Sequence, residues 1–283
     1  MYPVLFHFGP LVVPSYGVMA ALGVLLALAL LLRTARFVHL NPNPLWNLCI
    51  FALFAALIGS RLLLLALNWS VVRMHPAWLL GLAMVHHPLL AVVGTACAIA
   101  VAVPYALAHR LPLRDAADAL SAPIALALSC EQFGALLAGS GYGTETTAPW
   151  AVVYTHPLAM RWSGAPLFDP VHPVQAYAAL AFLATAAGLY LVTPRRRQPG
   201  DAAGVAMVAL GAAVYFTEFF RDPEGRGALF SGAVDGPQIA AAALVLLGAF
   251  LLCERSEKRA PEPASTLPSR APETSHERVG DSA

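Results

Sequence analysis

Leu45-Trp46-Asn47-Leu48-Cys49-Ile50-Phe51-Ala52-Leu53-Phe54-Ala55-Ala56-Leu57-Ile58-Gly59-Ser60-Arg61-Leu62-Leu63-Leu64-Leu65-Ala66-Leu67 is the stretch that decides the fold. It carries no charge until Arg61. Wound as a helix, about 20 mostly apolar residues match the hydrocarbon thickness of a bilayer. A helix apolar on every face has nowhere in water to put its outer sides. Residues 45–67 therefore read as a transmembrane helix.

Working outward, six more stretches have the same character: Tyr16–Leu32, Leu89–Ala108, Ala116–Ala138, Pro173–Val192, Ala203–Phe220 and Pro237–Cys253. Leu79–Val85 is apolar but too short to cross, and reads as a half-helix or interfacial arm. The fold class expected is all-α, a polytopic integral membrane protein of about seven transmembrane helices. Composition agrees. Of 283 residues 58 % are hydrophobic and only 12 % charged, about half the charge of an ordinary soluble domain. A net charge of +1 gives no basic surface for nucleic acid, so no nucleic-acid partner is expected.

Basic residues orient the spans. With the N-terminus outside, the inner loops receive Arg33, Arg36, Arg110, Arg114, Arg195, Arg196, Arg197, Arg255, Lys258 and Arg259. The outer loops receive Arg73, Arg161 and Arg226. The orientation expected is N-out, C-in. Residues 1–253 form the membrane domain. Residues 254–283, rich in Pro, Glu, Ser and Arg, form a disordered cytoplasmic tail. The outer loop Gly139–His172 is too long for a plain connector and reads as a small folded cap. Met1–Ser15 has no basic n-region and is broken by prolines, so it is no cleavable signal peptide. Cys49, Cys97, Cys130 and Cys253 lie in or beside apolar stretches without metal-ligand spacing. They read as small membrane-buried residues. No metal and no cofactor is expected.

Polar groups inside spans are costly and therefore informative. Arg61, Glu131, Gln132, Gln175, Tyr177, Glu218 and Arg221 all fall in the outer half of the bilayer or its outer interface, with His86 and His87 just beyond. The inner halves hold little besides Asn47, Asp118 and Ser121. This one-sided gathering suggests a polar cavity open toward the outer leaflet. A pore would need polar lining through the full depth. Glu218 and Arg221 share a helix face and read equally well as an internal pair. The glycine-rich turn Gly139-Ser140-Gly141-Tyr142-Gly143 follows the fourth span and could cradle a phosphate on its backbone N–H groups.

At these residues the sequence resembles the prolipoprotein diacylglyceryl transferase family. The likeness runs from about Ser15 to Phe250. It is carried by Ser15-Tyr16-Gly17, Ile58-Gly59-Ser60-Arg61, His86-His87-Pro88-Leu89-Leu90, the block Glu131–Gly143, Pro149-Trp150, His172-Pro173-Val174-Gln175-Ala176-Tyr177 and Glu218-Phe219-Phe220-Arg221. There are departures. The family's signature arginine falls on Gln132, its asparagines on Ala135 and Ala138, and its glutamate near Ser140. A further expected arginine is Val214, and an expected glutamate is Ala178.

The resemblance implies an activity: transfer of a diacylglyceryl group from phosphatidylglycerol to a cysteine thiol in a prolipoprotein signal peptide. The setting implied is the outer face of the bacterial cytoplasmic (inner) membrane, within the lipid bilayer. Such chemistry needs a base for the thiol, cations for the leaving phosphate, and lateral access for lipid. The catalytic candidates are His87 or His86 as base, Arg61 and Arg221 for the phosphate, and Glu131 to orient a histidine or pair with Arg61. Tyr16, Gln132, Gly139, Tyr142, Gly143, His172, Gln175, Tyr177, Glu218 and Arg226 are candidates for binding substrate. Two other readings stay open. One is a family member that binds lipid or assists assembly without turnover, which the missing signature residues motivate. The other is a small transporter, which seven spans with buried charges would permit.

Overall fold

The computed structural model describes residues 2–8, 11–74, 88–222, 228–229 and 234–257. Each expected span coincides with a helix: α1 (Ser15–Phe37), α2 (Pro42–Leu67), then after the short α3 (Trp69–Met74), α4 (Pro88–Ala108) and α5 (Leu113–Ala138). The short α6 (Pro157–Ser163) precedes α7 (Val174–Val192), α8 (Asp201–Glu218) and α9 (Gly236–Glu257). Among the described residues six of these helices are long and apolar enough to cross a membrane, and the apolar part of α4, Val92–Ala108, is shorter. Large side chains such as Leu25, Leu180 and Leu246 point outward, as they must when the solvent is hydrocarbon. The chain is an all-α polytopic membrane protein. The stretch expected as a half-helix, Leu79–Val85, lies outside the described residues.

The sequence writes the helix ends. Asn41 starts α2 by accepting from the Asn43 amide at 3.0 Å, and prolines occupy the first turn. Gly139 ends α5 in the left-handed region, φ 80°, where a glycine costs least. Several boundaries move from expectation: α1 runs on to Phe37 and α2 starts earlier, at Pro42. α5 begins at Leu113, so Asp115 joins Asp118 in its first turns. α9 continues past Cys253 to Glu257, into the stretch expected as tail, and Glu254 there meets Arg114 at 3.9 Å.

Small residues set the packing. A Cβ on Gly134 would lie 2.8 Å from Met19 Cβ, and one on Gly23 2.7 Å from Cys130 Cβ. α1 and α5 thus run antiparallel with their backbones nearly touching. Gly204 and Gly211 do the same for α8 and α9, against Leu252 and Ala241. Thr34 crosses from α1 to the Ala119 carbonyl at 2.6 Å, and Ser129 from α5 to Ala179 at 2.8 Å. α2 joins this body through its first half, where Leu45 enters a cluster with Leu31, Ala35 and Ala119. Its second half packs on α4 instead, Gly59 on Cys97 and Leu64 on Leu90.

Asp118, one of the few polar residues expected in the inner halves, holds that end together. It is fully buried on α5 and accepts from Arg196, the Gly200 amide and the Ala203 amide, the last at 2.8 Å. Arg196 also binds Asp115. One carboxylate thereby caps α8 and ties the α7–α8 turn to α5. The chain's alternation places Arg33, Arg36, Arg110, Arg114 and Arg195–Arg197 at this same end of the bundle. Glu131, Gln175, Glu218 and Arg221 lie at the opposite end.

Among the described residues three small antiparallel ladders accompany the helices: β1 (Val4–Phe8) with β2 (Leu11–Pro14), β3 (Val152–Val153) with β4 (Pro170–Val171), and β5 (Ala228–Leu229) with β6 (Val234–Asp235). The first precedes α1, within a segment whose prolines gave no strand signal.

Candidate functional site

The polar residues at the Glu131 end form two connected sets. The first sits between α1 and α5. Tyr16 donates its hydroxyl to Glu131 Oε1 at 2.8 Å, and Gln132 donates to Oε2 at 2.7 Å. Both oxygens of the carboxylate are therefore engaged. The close α1–α5 approach at Gly134, one helical turn on, brings Tyr16 within reach. Arg61 is exposed on the second half of α2, and Glu131, expected to orient a histidine or pair with Arg61, is held by Tyr16 and Gln132.

The second set is built where α5 and α8 end. Glu218 is buried, and its Oε1 lies 2.9 Å from Arg221 Nε. Arg221 Nη1 donates to the Gly141 carbonyl at 3.3 Å. A Cβ on Gly141, whose φ is +69°, would collide with that same nitrogen. The turn 139–143 is thus shaped to let the guanidinium lie against its backbone. Of the five amides in the turn expected as a phosphate cradle, three are taken up by the protein itself. The Gly139 and Ser140 amides bond to Ala135, Gly143 to His172 at 3.1 Å, and Thr144 to Phe220 at 2.9 Å. Those N–H groups are spent on the protein. The buried Gly139 and Gly143 shape the turn, and the cation behind it carries the charge. Tyr142 is half-buried, and its carbonyl accepts from the Asp222 amide at 3.3 Å.

Residues 139–172 fold over this end. α6, β3 and β4 close around Tyr154, Ala159, Ala165 and Val171. Tyr154 donates to the Leu136 carbonyl at 3.3 Å. Burial pushes its phenol up to about 12, with the Gln175 hydrogen bond pulling the other way, so it stays a donor. Gln175 was expected to face a head group. It is fully buried and donates to the Ser140 carbonyl at 2.9 Å, supporting the turn.

An aromatic pocket of about 340 Å³ opens beside Arg221, lined by Trp150, His172, Tyr177, Phe216, Thr217 and Phe220. Trp150 donates to the Tyr177 hydroxyl at 2.7 Å, which lies 3.2 Å from His172 Nδ1. Sequence reasoning found His172 and Tyr177 but missed the pocket. The spacing of Phe216 and Phe220 was its signal. His86, His87 and Arg226 lie outside the described residues. Among the described residues no group of His, Cys, Asp or Glu side chains comes together to hold a metal.

Fold and site define a polytopic α-helical membrane protein with polar and aromatic groups gathered under a cap at one end of the bundle. The family is specific: residues 3–254 match the prolipoprotein diacylglyceryl transferase model, and the chain belongs to that family. It is 27 % identical to a phosphatidylglycerol–prolipoprotein diacylglyceryl transferase 2 of Clostridium perfringens over 77 % of this chain and 82 % of that protein. To the phosphatidylglycerol–prolipoprotein diacylglyceryl transferase of Photobacterium profundum it is also 27 % identical, over 88 % of this chain and 91 % of the relative.

Proposed function

We propose that this chain transfers a diacylglyceryl group from phosphatidylglycerol to the thiol of a cysteine in a prolipoprotein signal peptide. The observation that carries this reading is Arg221, fixed by Glu218 and Gly141 at the end of the bundle where the capped polar groups gather. The excess of basic residues at the Asp118 end makes that end cytoplasmic. The Arg221 end then faces outward from the bacterial inner membrane, with the N-terminus outside and the C-terminus inside.

In the reaction the thiolate sulfur attacks the glycerol carbon of the diacylglyceryl group. A carbon–sulfur bond forms, the carbon–oxygen bond to phosphate breaks, and glycerol phosphate leaves. A free thiol is only a few per cent ionised near pH 7, so a base must take its proton. His87, or His86 beside it, fills that role at the membrane surface. Arg221, with Arg61 and Arg226, stabilises the departing phosphate. Tyr16, Glu131 and Gln132 form a polar wall within reach of the glycerol head group. Lipid arrives sideways from the bilayer, between the body and the α2–α4 pair. Residues 1–253 do this work, and the tail after them has no part in the chemistry.

The test is rescue. Expressed in bacteria depleted of their own transferase, the chain restores diacylglyceryl modification of lipoproteins, and His87→Ala abolishes the rescue. A stable, inserted chain that fails to rescue overturns the proposal. One observation favours a second reading, lipid binding without turnover: the signature arginine position is Gln132, and its amide is bound to Glu131. That reading calls for co-purified phosphatidylglycerol with no release of glycerol phosphate.

A further inference from the structure

A groove of about 490 Å³ opens at the Asp118 end, lined by Leu26, Ala29, Leu30 and Arg33 of α1, Leu126 of α5 and Tyr190 of α7. Leu26, Leu30, Arg33 and Phe37 recur at spacings of four, three and four residues, so they share one stripe of α1. The stripe is hydrocarbon for about 10 Å of helix rise and then turns cationic. Past Arg33, Phe37 packs on Tyr190 with ring centroids 5.3 Å apart. Behind that pair lies a second depression of about 230 Å³, with His39, Arg196, Arg197 and Gln198 in its wall.

The charges differ in what they can offer. Arg196 is already neutralised by Asp115 and Asp118. Arg33 has no ion-pair partner among the described residues, and neither has Arg197. Apolar trough, unpaired arginine and an amphipathic tyrosine occur in the order of acyl chain, phosphate and interface. We propose that this groove binds an anionic phospholipid of the leaflet opposite the candidate active site. One acyl chain lies along Leu26 and Leu30, and the phosphodiester sits on Arg33. A zwitterionic lipid fills the trough equally well but brings its own cation to the same place. The groove therefore selects for net negative charge. The inference does not depend on the chemistry at Arg221.

The test is native mass spectrometry of the full chain released from nanodiscs of equal phosphatidylglycerol and phosphatidylethanolamine. The intact chain retains an anionic lipid that Arg33→Gln loses by roughly fivefold, the effect of one basic residue near a lipid surface. Leu30→Trp, which fills the trough without touching charge, reduces retention as well. Leu26→Trp replaces it if that variant does not fold. Arg110→Gln removes an equal charge at the same end, in the turn between α4 and α5 and outside the groove lining, and leaves retention unchanged. Arg221→Ala also leaves this lipid in place, so failure here is separable from failure of the proposed transferase. Equal losses from Arg33→Gln and Arg110→Gln would show diffuse attraction to the basic end and overturn the proposal. So would full retention after the trough is filled, or equal retention of the two lipids.

Discussion

Arg221 is the residue on which site and fold meet. Its guanidinium is aimed by Glu218 on its own chain turn and by the Gly141 carbonyl across the fold. Removing it takes away one charge-assisted contact to developing phosphate charge, so Arg221→Ala lowers the turnover rate by about 10²–10³. Labelled phosphatidylglycerol turnover measures this. Arg221→Lys keeps the charge but not the planar fork and recovers only part of the loss. Gly141→Ala acts on the same group from the other side. It strains a left-handed position by about 1–2 kcal/mol and pushes on Arg221, so activity falls further than thermal stability. Equal falls in both would mean that Arg221 is merely structural. The Glu218–Arg221 pair was legible in the sequence, because three residues on a helix share a face. The partnership of Arg221 with Gly141 was not, since no local pattern announces which distant carbonyl a guanidinium will reach.

At the scale of elements, glycines and one buried aspartate hold the bundle. Gly134→Leu drives a side chain into Met19 and the Tyr16 backbone. Overpacking of this kind costs about 1–3 kcal/mol, and it also pulls Tyr16 away from Glu131. A lower melting temperature in detergent together with reduced activity is the expected result. Asp118→Ala leaves the Gly200 and Ala203 amides without their acceptor in a buried place and Arg196 with Asp115 alone. Breaking a buried pair in this way costs about 3–5 kcal/mol, enough to lower the melting temperature strongly, whereas Asp201→Ala at the exposed turn beside it has a small effect. The long apolar helices were readable because length and apolarity alone specify a membrane helix. Asp118 was undervalued because depth in the bilayer was read without the cap. Its importance comes from the α8 amides that bend back to it, and that closure is tertiary. The cap over the Arg221 end was readable only as a loop too long to be a connector. The aromatic pocket inside it joins residues from the loop, α7 and α8, so it emerges only on folding.

For the whole molecule, the two ends of the bundle divide the labour. One end gathers arginines and is stapled by Asp118. The other gathers Glu131, Arg221 and the aromatic pocket under a folded cap. Cysteines introduced singly at Thr147 and at Gln198 should react with a membrane-impermeant thiol reagent from opposite sides of intact cells, Thr147 from outside. Labelling of both from one side would contradict the orientation. Truncation after Lys258 should leave activity unchanged, since the spans and cap are complete before it. The direct measurement is release of labelled glycerol phosphate from phosphatidylglycerol by the purified chain in proteoliposomes, with a lipobox peptide supplying the thiol. Release that requires the peptide's cysteine, and is lost in Arg221→Ala, is the expected result. A folded, lipid-bound chain that releases none contradicts the transferase reading.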